Sequence, residues 1–339
     1  MIRVLLYYHF SPLPAADLDR LRDAHLAFCR NLGILGRIYL ATEGINGTCA
    51  GTPAAMDAYE AWVASWPGFG GIAWKRDDTD AMPFAHLRVR VKPHLVNLGP
   101  EGADIDPARE GGGYLEPAAW RGWLEGDRPY VLLDVRNRIE ARVGRFEGAL
   151  EAPYEHFHEF PRWADEMELD PETPVLMYCT GGIRCEKFSA LLRRRGIREV
   201  YQLHGGIMRY AREEGGAHFE GEVMVFDDRL SVDIGGTPTT HGRCLWCGVA
   251  TSRARNCANM DCHRLHLVCE ACHEARQGCC TEACQSAPRL RVLPPEEGEA
   301  GRRVFRARGV EDPTLGRAGR RAGNGCDDLP HRHGGQGSA

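Results

Sequence analysis

The chain has 339 residues, 26% of them charged and 43% hydrophobic, with a formal net charge of −5. That length allows two or three domains in a soluble globular protein, and no apolar stretch approaches the roughly 20 residues that span a bilayer. The mild acidity offers no global argument for nucleic-acid binding, and the β-like N-terminus lacks the marks of a signal peptide, so a cytoplasmic location with no membrane partner is expected.

Residues 3–10 read as a strand. Leu18, Leu21, Phe28 and Leu32 recur at helical spacing over 17–32, and Gly33 stops that helix. A strand at 35–41 is followed by Asn46-Gly47, a hairpin-type turn, before Thr48-Cys49-Ala50. A second helix over 53–65 carries Met56, Tyr59 and Val63 on one face, and strands are expected at 72–75 and 87–91. The order predicts a ferredoxin-like α+β domain over residues 1–97. Its segment Glu43-Gly44-Ile45-Asn46-Gly47-Thr48 is a candidate functional edge.

A Gly-rich linker is expected at 98–119, containing Gly111-Gly112-Gly113. Over 120–220, strands at 131–135, 174–178 and 200–203 alternate with helices, which predicts a doubly wound parallel sheet. Arg193-Arg194-Arg195 with Arg198 reads as a solvated helix face or a local RNA contact.

Cys179 carries the most chemistry. It follows the buried run Val175-Leu176-Met177-Tyr178 and opens the loop Thr180-Gly181-Gly182-Ile183-Arg184, ahead of a helix. At the carboxyl end of a parallel strand, converging N–H groups and the positive end of a helix favour an anion there, a thiolate or a persulfide. Gly181 and Gly182 permit a tight turn with exposed N–H donors. Arg184 either stabilises the thiolate or braces the loop against an acidic partner. Thr180 orients a substrate or caps the turn. Cys185 is a candidate resolving thiol or a packed helix residue. Asp134 and Arg136 are expected to form a structural ion pair.

Nine of the 14 cysteines crowd between Cys244 and Cys284. The spacings are Cys244-x-x-Cys247, Cys257-x4-Cys262, Cys269-x-x-Cys272 and Cys279-Cys280-x3-Cys284. Such pairs suit tetrahedral structural zinc, with His263, His266 and His273 as alternative ligands and disulfides or an iron–sulfur cluster as alternative chemistries. A Cys-rich zinc-binding module is therefore expected over 221–285, with a flexible Gly/Arg/Pro-rich tail over 286–339 that contains Cys326. Nucleotide and flavin motifs are missing from the sequence.

The Cys179–Arg184 loop, the Leu133-Asp134-Val135-Arg136 strand, the Gly144-Arg145-Phe146-Glu147-Gly148-Ala149 segment and Leu203-His204-Gly205-Gly206 resemble the rhodanese superfamily. Arg145 stands where that superfamily usually has histidine. Four residues between Cys179 and Arg184 suit a loop that encloses sulfur, one shorter than the phosphate loop of related phosphatases. With the Glu43–Thr48 segment and the cysteine cluster, the order resembles the bacterial rhodanese-like tRNA uridine-34 hydroxylases over about residues 1–285. The resemblance implies oxygen-dependent conversion of the wobble uridine of tRNA to 5-hydroxyuridine, with Cys179 as the essential cysteine, molecular oxygen as co-substrate and an unidentified electron donor. Lys92-Pro93-His94 and the long tail depart from that pattern. The loop chemistry alone directly explains a sulfurtransferase working through a Cys179 persulfide, and does not by itself explain hydroxylation. For hydroxylation it leaves two routes open: thiolate addition to C6 of uracil, or a persulfide that supplies reducing equivalents.

Overall fold

A computed structural model describes residues 1–291 of the chain, so the tail beyond residue 291, with Cys326, lies outside the described residues. Two compact units divide it, 1–242 and 243 onward.

In the first unit, β1 (Ile2–Phe10), α1 (Leu18–Asn31), β2 (Leu35–Ala41), β3 (Gly44–Gly51), α2 (Pro53–Ala64), β4 (Lys75–Thr79) and β5 (Leu87–Val91) build a sheet ordered β4-β1-β3-β2-β5. The first four strands are antiparallel to their neighbours, as a split β-α-β-β-α-β chain requires, and β5 adds in parallel to β2. Odd-numbered β1 residues Leu5 and Tyr7 join Leu18, Leu21, Met56, Tyr59 and Val63 in the core beneath the two helices. Even-numbered Leu6 and Tyr8 therefore point to the opposite face.

Two local expectations are corrected here. The turn between β2 and β3 falls at Thr42-Glu43, and Asn46-Gly47 lies inside β3. Gly47 is there for closeness: a Cβ on it would sit 2.5 Å from the Tyr7 ring. Likewise β4 starts only at Lys75, the last residue of the segment expected to be a strand, and Ile72 is buried from a loop.

The connection that follows is partly structured. After α3 (Pro107–Glu110), β6 (Gly113–Leu115) pairs in parallel with a later strand, and Gly112 N–H donates to Ser189 Oγ at 2.9 Å. Then come α4 (Pro117–Glu125), β7 (Val131–Asp134), α5 (Arg138–Val143), β8 (Gly144–Phe146), β9 (Leu150–Glu151), α6 (Phe160–Glu166), β10 (Val175–Tyr178), α7 (Ile183–Arg194), β11 (Val200–Leu203) and α8 (Gly206–Glu214). The parallel sheet runs β6-β11-β10-β7-β9. Alternation along the strands fills both faces. Leu133, Val175 and Met177 pack with Phe160 and Phe188 on one side, and Leu132, Leu176 and Tyr178 pack with Trp120, Ile207 and Tyr210 on the other. Three short strands, β12 (Phe219–Gly221), β13 (Val223–Met224) and β14 (Ser231–Val232), close this unit, with β12 pairing with β8.

The arginine run is largely ion-paired. Arg194 pairs with Glu110 and Asp104, Arg195 with Asp165 and Glu101, and Arg198 with Glu172, while Arg193 donates to the carbonyls of Glu110 and Gly111. Three of the four arginines are ion-paired, and Arg193 is held by backbone carbonyls alone.

The second unit holds β15 (Ala254–Asn256), β16 (Leu265–Leu267), α9 (Glu270–Ala275) and α10 (Glu282–Gln285). Its buried cluster consists of Cys257, Ala258, Cys279, Cys280 and Cys284. A centre made almost wholly of cysteine is too small to hold a fold by apolar burial.

Candidate functional site

β10 delivers Cys179 to the carboxyl edge of the parallel sheet, where the residue is 1% exposed. Gly182 takes φ 107°, a left-handed conformation that frees its N–H to turn back, and that N–H donates to Cys179 Sγ at 3.1 Å. α7 starts at the next residue and aims its positive end at the same sulfur. Burial pushes the Cys179 thiol up. The hydrogen bond from Cys185, the Arg184 charge and the N–H groups of Arg184 and Gly182 outweigh it and hold the thiol well below its usual range. Cys185 is itself driven well above that range, first by burial and then by Cys179, so it stays protonated and donates.

Arg184 sits between an acidic partner and the thiol. Its guanidinium forms a bidentate pair with Glu140 at 2.6 and 2.8 Å, and its charge falls on Cys179. Glu140 is fixed in turn by the capping box of α5, where its carboxylate accepts the Asn137 N–H at 3.1 Å. Thr180 Oγ1 lies 3.5 Å from both partners. Beneath the loop, Asp134 and Arg136 form the expected ion pair at 2.6 Å, fully buried, with Tyr178 donating to Asp134 at 2.8 Å.

The outward face of β1 covers the loop. A Cβ on Gly181 would come within 2.9 Å of Leu6, and one on Gly182 within 2.7 Å of the Tyr8 hydroxyl. The two glycines thus serve packing as well as turning. Tyr8 donates to Glu186 at 2.7 Å, and Tyr114 and Gln202 donate to the same carboxylate at 2.9 and 3.3 Å. Burial pushes the Glu186 carboxyl up, against those donors. Lys187, fully buried on α7, pairs with Glu43 at 2.7 Å, and Glu43 also accepts the Leu95 N–H at 2.6 Å. Lys75, at the start of β4, holds its ammonium 4.7 Å from the centre of the Tyr8 ring; burial lowers it to about 8, while the charges of Cys179 and Glu186 act to raise it.

Two cavities flank this arrangement. One of about 640 Å³ reaches Thr180, Lys75, Met208 and Phe226, and one of about 370 Å³ reaches Tyr8, Lys75, Tyr114 and Glu186.

In the second unit the cysteines sort into two quartets. Cys244, Cys247, Cys269 and Cys272 form one, and Cys257, Cys262, Cys280 and Cys284 the other, each with its sulfurs within 4.8 Å of one another. Individual edges measure 3.7 Å for Cys247–Cys269, 3.6 Å for Cys262–Cys280 and 3.9 Å for Cys280–Cys284. A tetrahedron with metal–sulfur bonds of about 2.3 Å has edges of about 3.8 Å, so both quartets can hold a metal ion.

Family models match three stretches of the chain: a UPF0176 acylphosphatase like domain over residues 2–95, a rhodanese-like domain over 120–213 and a rhodanase C-terminal region over 220–285. A tRNA uridine(34) hydroxylase of Cytophaga hutchinsonii is 41% identical over 290 residues, 85% of this chain and 91% of its own. One from Protochlamydia amoebophila is 41% identical over 85% of this chain and 89% of its own, and one from Chlamydia caviae 38% identical over 87% and 88%. The chain belongs to the tRNA uridine(34) hydroxylase family. A solved rhodanese-like domain from Anabaena is 25% identical over 34% of this chain and 80% of its own, at a TM-score of 0.28.

In this tRNA uridine(34) hydroxylase family member, Cys179, Thr180, Gly181, Gly182, Ile183, Arg184 and Cys185 all lie on the one loop and first helical turn around the thiol. Eight of the nine clustered cysteines fall in the quartets; Cys279 joins neither, its thiol donating to the Gln277 carbonyl at 3.7 Å. His263, His266 and His273 are also outside both, since each quartet is complete in sulfur. Tyr8, Lys75, Glu140 and Glu186 are neighbours of the site that the sequence reading passed over. Glu140 carried a signal, three residues after Asn137 in a capping-box spacing. Tyr8 and Lys75 carried none, because their place depends on one domain lying over another.

Proposed function

We propose that this chain hydroxylates uridine 34 of tRNA at C5 and that Cys179 is its working thiol. The relation to tRNA uridine(34) hydroxylases across 85% of the chain supports the reaction. The observation that carries the site is the Cys179 sulfur, held by the Gly182 N–H at 3.1 Å under the charge of Arg184. A thiolate so held is a nucleophile that needs no separate base.

Hydroxylation takes one oxygen atom from molecular oxygen; two electrons from a donor and two protons reduce the other to water. This chain's part is to hold the base, present the thiolate and keep bulk water from a sulfur that is 1% exposed. Arg184 is the fixed charge, Glu140 positions it, and Cys185 is the donor that keeps Cys179 ionised. The two quartets are proposed as structural zinc sites, because all-thiolate tetrahedra with no open position are closed to catalysis and stabilise folding. Zinc there would hold residues 243–291 together. No described helix is long and apolar enough to cross a membrane, and a tRNA substrate fits a cytoplasmic location.

Cys179→Ser tests the assignment. The change is nearly isosteric, so the protein should fold and bind tRNA while 5-hydroxyuridine formation falls to background. Activity retained within tenfold would remove Cys179 from the mechanism.

A further inference from the structure

The larger cavity has the chemistry of a nucleotide site. Its volume of about 640 Å³ is in the range of small-ligand pockets, and it opens on Thr180, the residue after the thiol. Most of its wall charges cancel: Arg229 pairs with Asp77 and Asp227, Asp78 with Arg3, and Arg76 with Glu60. Asp233 accepts the Gly235 N–H at 2.8 Å. Two cations of the wall, Lys75 and Arg212, and one carboxylate, Asp233, form no ion pair among the described residues. Lys75 is buried deep in the cavity, while Arg212 is exposed at its rim.

Phe226 supplies the apolar face. It is 46% exposed, an unusual state for phenylalanine beside a buried reactive loop. Its backbone is held, its carbonyl accepting from Arg37 at 3.0 Å, and the Arg184 guanidinium lies 5.7 Å from its ring centre. An aromatic ring fixed at the mouth of a site, with one deep and one outer cation, matches how unstacked bases are held: stacking on the ring, donors to base oxygens, and a positive charge for phosphate. The smaller cavity shares Lys75 and Arg212 but reaches neither Thr180 nor Phe226.

We propose that the larger cavity receives the target uridine, with its base stacked on Phe226, a uracil carbonyl oxygen facing Lys75 and the adjoining phosphate facing Arg212. The inference rests on the tRNA reading above and names the subsite that reading lacks.

The test uses the full chain and an anticodon stem–loop RNA carrying 5-iodouridine at the wobble position, a photocrosslinker to aromatic side chains. After irradiation, peptide mass spectrometry should place the crosslink on Phe226. A crosslink on Tyr114 or His204, at the smaller cavity, would overturn the assignment, as would absence of RNA binding by the wild type. With unmodified RNA, Phe226→Ala should raise KM about tenfold with a smaller fall in kcat, and Phe226→Trp should restore it. Arg212→Gln should flatten the dependence of log Kd on log salt by about 0.7 to 0.9, one phosphate contact. An unchanged KM in Phe226→Ala would defeat the cavity while leaving the hydroxylase reading standing. A Phe226 crosslink from a wild type that forms no 5-hydroxyuridine would do the reverse.

Discussion

At the scale of single residues, the proposed chemistry turns on the ionisation of Cys179. Its folded-state pKa is lowered, so the thiolate persists above that folded value and is lost as pH falls through it. An ordinary thiol titrates near 8.5. The wild-type rate should therefore fall on the acid side, at a pH below that of an ordinary thiol. Cys185→Ala removes a hydrogen-bond donor to the sulfur and should move that acid limb to higher pH. Single-turnover rates measured across pH check this, and a limb unmoved or shifted downward would contradict the role of Cys185. The Cys179 contribution to stability has the same sign: it is fully present above the unfolded thiol pKa and disappears as pH drops through the folded one.

At the scale of elements, β1 has two working faces. Leu5 and Tyr7 serve the N-terminal core, and Leu6 and Tyr8 cover the Gly181-Gly182 turn. The Glu43–Lys187 pair ties the β2–β3 turn to α7 beside it. Lys187 is 1% exposed and Glu43 18%, so Glu43→Ala leaves a buried ammonium with the Gly102 carbonyl at 3.4 Å as its remaining hydrogen-bond acceptor among the described residues. The expected loss is about 3 kcal/mol, at the lower end of the cost of breaking a buried pair. Urea denaturation followed by tryptophan fluorescence measures it, and a loss below about 1 kcal/mol would show the pair to be incidental. Glu43 was legible as an edge of interest, but its partner was not, since 144 residues separate them. Local signals failed in the same domain where tertiary packing overrode them. Asn46-Gly47 is a good turn pair, yet the Tyr7 ring needs a residue without a side chain at position 47, and the strand continues through it.

At the scale of the whole molecule, the chain order of the ferredoxin-like sheet, the parallel sheet and the cysteine-rich unit could be read from periodicity and spacing. The sorting of the cysteines could not. Each quartet joins two pairs separated in sequence, and the pairs interleave, Cys244/Cys247 with Cys269/Cys272 across Cys257/Cys262 with Cys280/Cys284. Spacing proposes pairs; only the fold of residues 243–291 matches them. Adjacent Cys279 and Cys280 give a sharp discrimination. Metal analysis of the purified protein should find two zinc ions per chain, unchanged in Cys279→Ser and reduced to one in Cys280→Ser. Equal losses in the two variants would contradict the quartets, and a metal-free protein with this unit folded would contradict zinc.

The most direct test of the central claim is nucleoside mass spectrometry of tRNA from cells lacking this protein, complemented with the wild type or with Cys179→Ser. The account predicts that 5-hydroxyuridine and nucleosides derived from it disappear from the wobble position and return with the wild type alone. If those nucleosides persist without the protein, or if a thiolated nucleoside is lost in their place, the chain is not the hydroxylase and Cys179 carries sulfur instead.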